Sequence, residues 1–154
     1  KFTDHKDFAF AQQAHIDRGL SQDTFRENYR RYAKALIAVG DGSGEDRLNG
    51  LKTEIVAGLN PYTDDLSGGL PVQVFLDGAP IAEAQFEMFE RDAAGQVVVT
   101  RHKADDQGRA TLPMMPGRRY LIDSVQIEEL EPANEGDAGW LTHWAALTFA
   151  VPEA

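Results

Sequence analysis

The sequence predicts a mainly β protein, a β-sandwich preceded by a two-helix segment. Two observations indicate the sandwich. After residue 50, short segments alternate apolar and polar residues, as strands with one buried face do. Turn-forming clusters separate these segments about every eight to twelve residues. A third observation indicates the helices, because a helical period is present only before residue 40.

The first helix is expected to be capped by Thr3 or Asp4 and to end near Arg18, with Gly19 as a left-handed C-cap. A second helix is expected to begin at Ser21 or Thr24, where the sequence TFRE matches a capping box, and to continue through NYRRYAKALIAV. Its apolar stripe comprises Phe25, Tyr29, Tyr32, Ala33 and Leu36. The basic residues beside this stripe form either a solvated face or a docking surface for the acidic region that follows; they are Arg26, Arg30, Arg31 and Lys34.

A glycine-rich stretch then divides the chain. We predict a helical segment over residues 1–40, a flexible linker over 41–50 and a β-sandwich domain over 51–154. The strand candidates are LKTEIVA, LPVQVFL, IAEAQFEMF, QVVVTRHK, RATLPM, RRYLIDSVQI and WLTHWAALTFAV. Within VQVFLDGAPIAEAQFEMF, the Asp77-Gly78 turn is expected to join two long strands in a hairpin.

Composition excludes several classes of function. The chain has no cysteine and a net charge of −10, and residues 51–154 carry all of that excess. Such a surface repels phosphate backbones, so nucleic acid is not an expected partner. No apolar run has the length of a membrane span, and none of the nucleophile or phosphate-binding motifs occurs. The terminal strand also lacks the Asn acceptor of the Lys–Asn isopeptide bond that some small sandwiches form.

The histidines are the candidate metal ligands, and those chosen are His143, His5 and His15. His143 shares a strand face with apolar residues, so it is either a hydrogen-bonded core histidine or a ligand. His5 and His15 would lie about 15 Å apart along one helix, too far to hold one ion together. Acidic runs such as Asp64-Asp65 lack the spacing of a calcium loop and are interpreted as solvated turns.

Trp140 and Trp144 are expected on one face of the last strand. They form either a packing surface, with Phe25, Tyr29 and Tyr32 opposite them, or a platform for a sugar or aromatic ligand.

Several segments together resemble a bacterial periplasmic family of unknown function that is associated with nickel uptake and cobalt/nickel ABC transport. They are DRGL (17–20), ENYRRYAKALIAVG (27–40), TEIVAGLNPY (53–62), VFLDGAPIAEAQF (74–86), DDQGRATLPMMPGRRYLI (105–122) and WLTHWAALTFAV (140–151). The resemblance implies a secreted, periplasmic precursor with an immunoglobulin-like or carboxypeptidase-regulatory-like sandwich. It also implies an N-terminal β domain ahead of Lys1, which would hold the metal-binding end.

Two functions follow as expectations. The first is a non-enzymatic periplasmic binding or accessory protein for nickel or cobalt uptake, with the ion as cofactor and the N-terminal β domain and membrane transporter components as partners. The second is a structural or interaction module of the cell envelope, which presents sandwich loops to a protein or glycan.

Overall fold

A computed structural model describes residues 2–134 and 136–153. It confirms the predicted fold class, a mainly β sandwich preceded by two helices. The helices are α1 (Phe2–His5) and α2 (Ala9–Asp17). The strands are β1 (Glu27–Ala35), β2 (Thr53–Ala57), β3 (Leu70–Leu76), β4 (Ala79–Pro80), β5 (Gln85–Arg91), β6 (Val97–Lys103), β7 (Arg109–Leu112), β8 (Arg119–Glu129) and β9 (Trp140–Ala150).

The strands form a five-stranded sheet and a four-stranded sheet. The five-stranded sheet has the order β1-β9-β8-β5-β6 and is antiparallel except for the parallel pair β1 and β9. In the four-stranded sheet β2 pairs with one side of β3, while β4 and β7 pair with different residues of β3. Inward-facing residues of both sheets form the main core, and its largest fully buried members are Ile55, Leu70, Phe86, Leu112, Tyr120, Ile122 and Leu147.

The helices cover part of the outer face of the five-stranded sheet. Phe8 and Ala11 pack there against Val125 and Trp140 in a second apolar cluster. The first helix was predicted as one element, but the chain breaks between α1 and α2, where Asp7 has a φ of 62°. The predicted C-cap is confirmed, since Gly19 has a φ of 68° and its amide donates to the carbonyl of Ile16.

The second helix is not where it was predicted, because both helices precede residue 18. Residues 27–35 form strand β1, whose register with β9 runs from Glu27 opposite Trp140 to Ala35 opposite Thr148. A spacing of three and four residues between apolar side chains is a weak local signal, and pairing with the open edge of β9 satisfies the same backbone groups through distant contacts.

The predicted long hairpin is also wrong, although its turn is present. Asp77 and Gly78 both have positive φ, and β3 pairs with two returning residues, Ala79 and Pro80. One further hydrogen bond follows, from the amide of Ile81 to the carbonyl of Val74. The chain then crosses to the other sheet, so β3 and β5 lie in different sheets instead of pairing. Alternation identified both strands, but it carries no information about which strands are hydrogen-bonded neighbours.

Residues 41–50 contain no helix or strand, as expected for a linker or loop. The Asp46 carboxylate is nevertheless buried, where it accepts from the amide of Ala57 and pairs with Lys34. The division of the chain into domains at this stretch stays a prediction.

Candidate functional site

His15 is a structural residue of the helix–sheet junction. Its Nδ1 accepts from the indole of Trp140 at 2.9 Å, and its Nε2 lies 2.9 Å from the carbonyl of Ser21. The second contact requires a proton on Nε2. Its ring also stacks on Phe25 and Trp140. Both nitrogens are therefore occupied, and metal binding at His15 would break this arrangement.

His143 is buried, with 2% of its surface exposed. Its Nε2 lies 3.0 Å from Oε1 of Glu128, and its ring is 6.2 Å from that of Tyr32. Within the described residues its Nδ1 has no hydrogen-bond partner. His143 and Glu128 thus form a pair with one uncommitted nitrogen.

The structure does not bring the three candidate ligands to one partner. His5 is exposed, and its Nδ1 contacts the guanidinium of Arg101 at 2.6 Å, apart from the contacts of His15 and His143. Across residues 2–134 and 136–153, no three His, Cys, Asp or Glu side chains converge as a metal site would require. The described residues therefore do not form a complete site for nickel or cobalt.

The two tryptophans pack against the protein. Trp140 is fully buried and stacks on Phe25, with 5.6 Å between the ring centres. This contact matches the packing alternative, in which Phe25 was one of the three residues expected opposite the tryptophans. Trp144 is half-buried, with Nζ of Lys6 at 4.9 Å and the guanidinium of Arg31 at 4.7 Å from its ring centre. The buried Trp140 cannot serve as an open platform for a sugar.

A cluster of charged side chains lies beneath the helices, and we call Lys6, Glu87 and Asp123 the Lys6 cluster. Nζ of Lys6 contacts the Glu87 carboxylate and lies 3.1 Å from each oxygen of Asp123. The three side chains are 10%, 8% and 11% exposed. Arg101 also donates to Glu87, at 3.3 Å.

The pKa values of the two carboxyl groups of the Lys6 cluster are shifted in opposite directions. Burial raises the pKa of Asp123 and outweighs the attraction of Lys6, while the charge of Glu87 adds to the rise. Burial also acts to raise the pKa of Glu87, but hydrogen bonds and charge from Lys6 and Arg101 prevail and lower it. Asp123 is therefore the group of the pair that more readily holds a proton.

A second buried cluster, the Lys34 cluster, consists of Lys34, Asp46 and Glu54. Nζ of Lys34 lies 2.8 Å from Asp46 and 3.2 Å from Glu54. Backbone amides also hold the Glu54 carboxylate, those of Asn49 and Leu51. Burial acts to raise the pKa of Glu54, but the Asn49 amide and Lys34 outweigh it, and the net pKa is lowered.

The open edge of the five-stranded sheet is the remaining feature. In the described chain β6 pairs only with β5, and its three valines, Val97 to Val99, are 52%, 60% and 46% exposed. Just beyond β6, the amide of Ala104 donates to the carbonyl of Ala84. In an antiparallel pair every second residue of a strand bonds its neighbour, so this bond shows which amides of β6 point toward β5 and which point away. By that alternation the amides of Val97 and Val99 point away from β5, toward the open edge.

Sequence reasoning missed both lysine clusters. Strand alternation predicts that Glu87 and Asp123 lie on the outer face of their sheet, but it does not predict which residue covers them. Lys6 stands 81 and 117 positions away from them, so no local spacing signals the contact.

Comparison with known families shows which family the chain belongs to. Residues 3–128 match the family described as a domain of unknown function, DUF4198, and the protein belongs to this family. No curated protein and no solved structure matches the chain. Neither described helix has the length and apolarity needed to cross a membrane.

Proposed function

We propose that this protein is a non-enzymatic accessory module of the bacterial periplasm that binds another polypeptide through the open edge of strand β6. The observation that carries the proposal is the row of exposed valines, Val97 to Val99, on a strand with a neighbour on one side only. Natural sheets protect such edges with charge, proline or a covering element. Three consecutive exposed β-branched residues instead favour the addition of a strand.

The occupant we propose is an extended segment of a protein partner. Its backbone would pair with the outward amides of Val97 and Val99, and its side chains would contact the apolar strip beside them. That strip continues across the sheet, because Val99 lies opposite Phe89 and Phe89 lies opposite Leu121. The N-terminal β domain and the transporter components implied by the family resemblance are the two candidate sources of this segment.

The proposal can be tested by photocrosslinking in the native bacterium. A photoreactive residue at position 98 should give one discrete adduct, whereas the same residue at the exposed Ile37 should give none. Val99→Pro in the first variant should abolish the adduct while the fold is kept, because it removes an outward amide and no ladder bond. Mass spectrometry of the adduct then identifies the source of the segment. Equal labelling at both positions, or an adduct unaffected by Val99→Pro, would contradict the proposal.

An association with nickel or cobalt is our second proposal, favoured by the uncommitted Nδ1 of buried His143. Because His143 and Glu128 are only two donors, this chain would supply part of a site that a partner completes. Titration calorimetry of either ion into the untagged protein with and without its captured partner tests this. His143→Asn should remove binding and His102→Asn should not. Absence of binding tighter than about millimolar in both preparations overturns the proposal.

A further inference from the structure

The Lys6 cluster has the geometry of a condensation site between an amine and a carboxyl group. Nζ of Lys6 is equidistant from the two oxygens of Asp123, at 3.1 Å, and the Glu87 carboxylate contacts the same nitrogen. The ring of Trp144 lies 4.9 Å from Nζ on another side. An amine, an acceptor and a proton-transfer group thus converge where little water enters.

We propose that Nζ of Lys6 and Cγ of Asp123 are joined by an intramolecular isopeptide bond, whose formation Glu87 assists by proton transfer. Neutral Lys6 attacks Cγ of the protonated Asp123 carboxyl group, so a C–N bond forms. Glu87 takes a proton from the nitrogen and delivers it to the departing hydroxyl group. The C–O bond breaks and water leaves. The ammonium and carboxylate pair is converted into an amide and one water molecule, with no oxidant or reductant.

Three physical features favour this reaction. The three side chains are only 10%, 8% and 11% exposed, so little bulk water surrounds a reaction that releases water. The raised pKa of Asp123 favours its protonated form, and the lowered pKa of Glu87 favours its carboxylate, which are the forms that the two roles use. The fold also fixes the reactants in contact, and such positioning corresponds to effective molarities of about 10⁵–10⁸ M.

The Lys34 cluster provides a control inside the same chain. It too has a buried lysine between Asp and Glu, yet backbone amides hold both of its carboxylates: Asn49 and Leu51 bond Glu54, and Arg47 and Ala57 bond Asp46. Such bonds stabilise the anion, which is a poor acceptor for an amine. Among the hydrogen bonds of the described residues, none from a backbone amide reaches the Asp123 carboxyl group. We therefore expect no bond at Lys34.

The bond would fasten the helical segment to the sheet. Lys6 follows α1, and Asp123 lies in β8 between β5 and β9. The two residues are 117 positions apart, so the crosslink would close most of the chain into one covalent loop. The terminal strand that lacked an Asn acceptor is not involved, because the acceptor lies on the strand beside it.

The test is the intact mass of the denatured protein. The native protein should be lighter than its sequence by one water molecule, and a protease digest should contain one linked pair of peptides that joins Lys6 to Asp123. Lys6→Met, Asp123→Ala and Glu87→Gln should each restore the full mass. Lys34→Met should keep the loss of water, which controls for a general effect of removing a buried lysine.

A conservative variant separates this chemistry from other losses of water. Asp123→Asn should lose ammonia instead and reach the same crosslinked mass as the native protein. A native protein of full mass, or a loss of water that persists in Lys6→Met, would overturn the proposal. The mass and the linked peptides of the native protein decide the matter even if a variant fails to fold.

Discussion

The Lys6 and Lys34 clusters contain the same three residue types at similar burial, but the fold holds their carboxyl groups differently. In the Lys34 cluster, backbone amides bond Glu54 and Asp46, so both anions are stabilised independently of the lysine. In the Lys6 cluster, the described partners of Glu87 and Asp123 are side chains. A buried ion pair can therefore serve as a fixed structural element or as a reactive site, depending on whether the backbone stabilises the anion.

Among losses of a buried ion contact, the largest expected effect is at Lys34. Lys34→Met leaves Asp46 and Glu54 buried without their shared cation, while backbone amides still bond both carboxylates. We expect a loss of about 3–5 kcal/mol in the free energy of unfolding, measured by urea denaturation. A loss below the part of the Lys6→Met loss that remains after the Glu87→Gln loss is subtracted would contradict the contrast between the clusters.

The part of the Lys6→Met loss that is due to its ion contacts is expected to be smaller, about 2–4 kcal/mol. Loss of the proposed crosslink adds to the total for this variant. Arg101 still neutralises Glu87, and Asp123 can take up a proton because its pKa is already raised. Urea denaturation of both lysine variants in one buffer makes the comparison. Glu87→Gln, which keeps Lys6 but prevents the bond, should reproduce the part of the loss that is due to the crosslink.

Glu54→Gln should cost about 1–3 kcal/mol at neutral pH, because amides that bonded a carboxylate are left with a weaker acceptor. The pKa of Glu54 is lowered in the fold, so its contribution is fully present above the unfolded pKa of about 4.3 and is lost as pH falls through the folded pKa. Unfolding curves at several pH values should thus converge for variant and native protein in acid. The exposed Glu83→Gln should show no such convergence.

The smallest effect is expected at Lys103, which pairs with Asp7 at 2.7 Å beside the Lys6 cluster but in solvent. Lys103→Met should change the free energy of unfolding by about 0–1 kcal/mol, and the variant should still be lighter than its own sequence by one water molecule. A larger loss would show that the position at the helix–sheet junction, rather than burial, determines the cost at Lys6.

Sequence patterns predicted the strands well because alternation is a local consequence of one buried face. Phe86 and Met88 point into the core as their spacing indicated, and Gly19 ends a helix as expected. The same reasoning failed for residues 27–35, whose helical spacing yields to pairing with β9. For the candidate sites it offered a core position as one alternative for His143, which is buried, but it gave no indication of the pairing with Glu128.

The sequence by itself determined the class of fold, the positions of most strands, the turn at Asp77-Gly78 and the acidic character of the sandwich. Each of these depends on residues that are neighbours in the chain. Only the tertiary structure decided that β1 joins the sheet, that the chain crosses between sheets after Pro80, and that Lys6 meets Glu87 and Asp123. Those features depend on contacts between distant segments, whose energies no local pattern records.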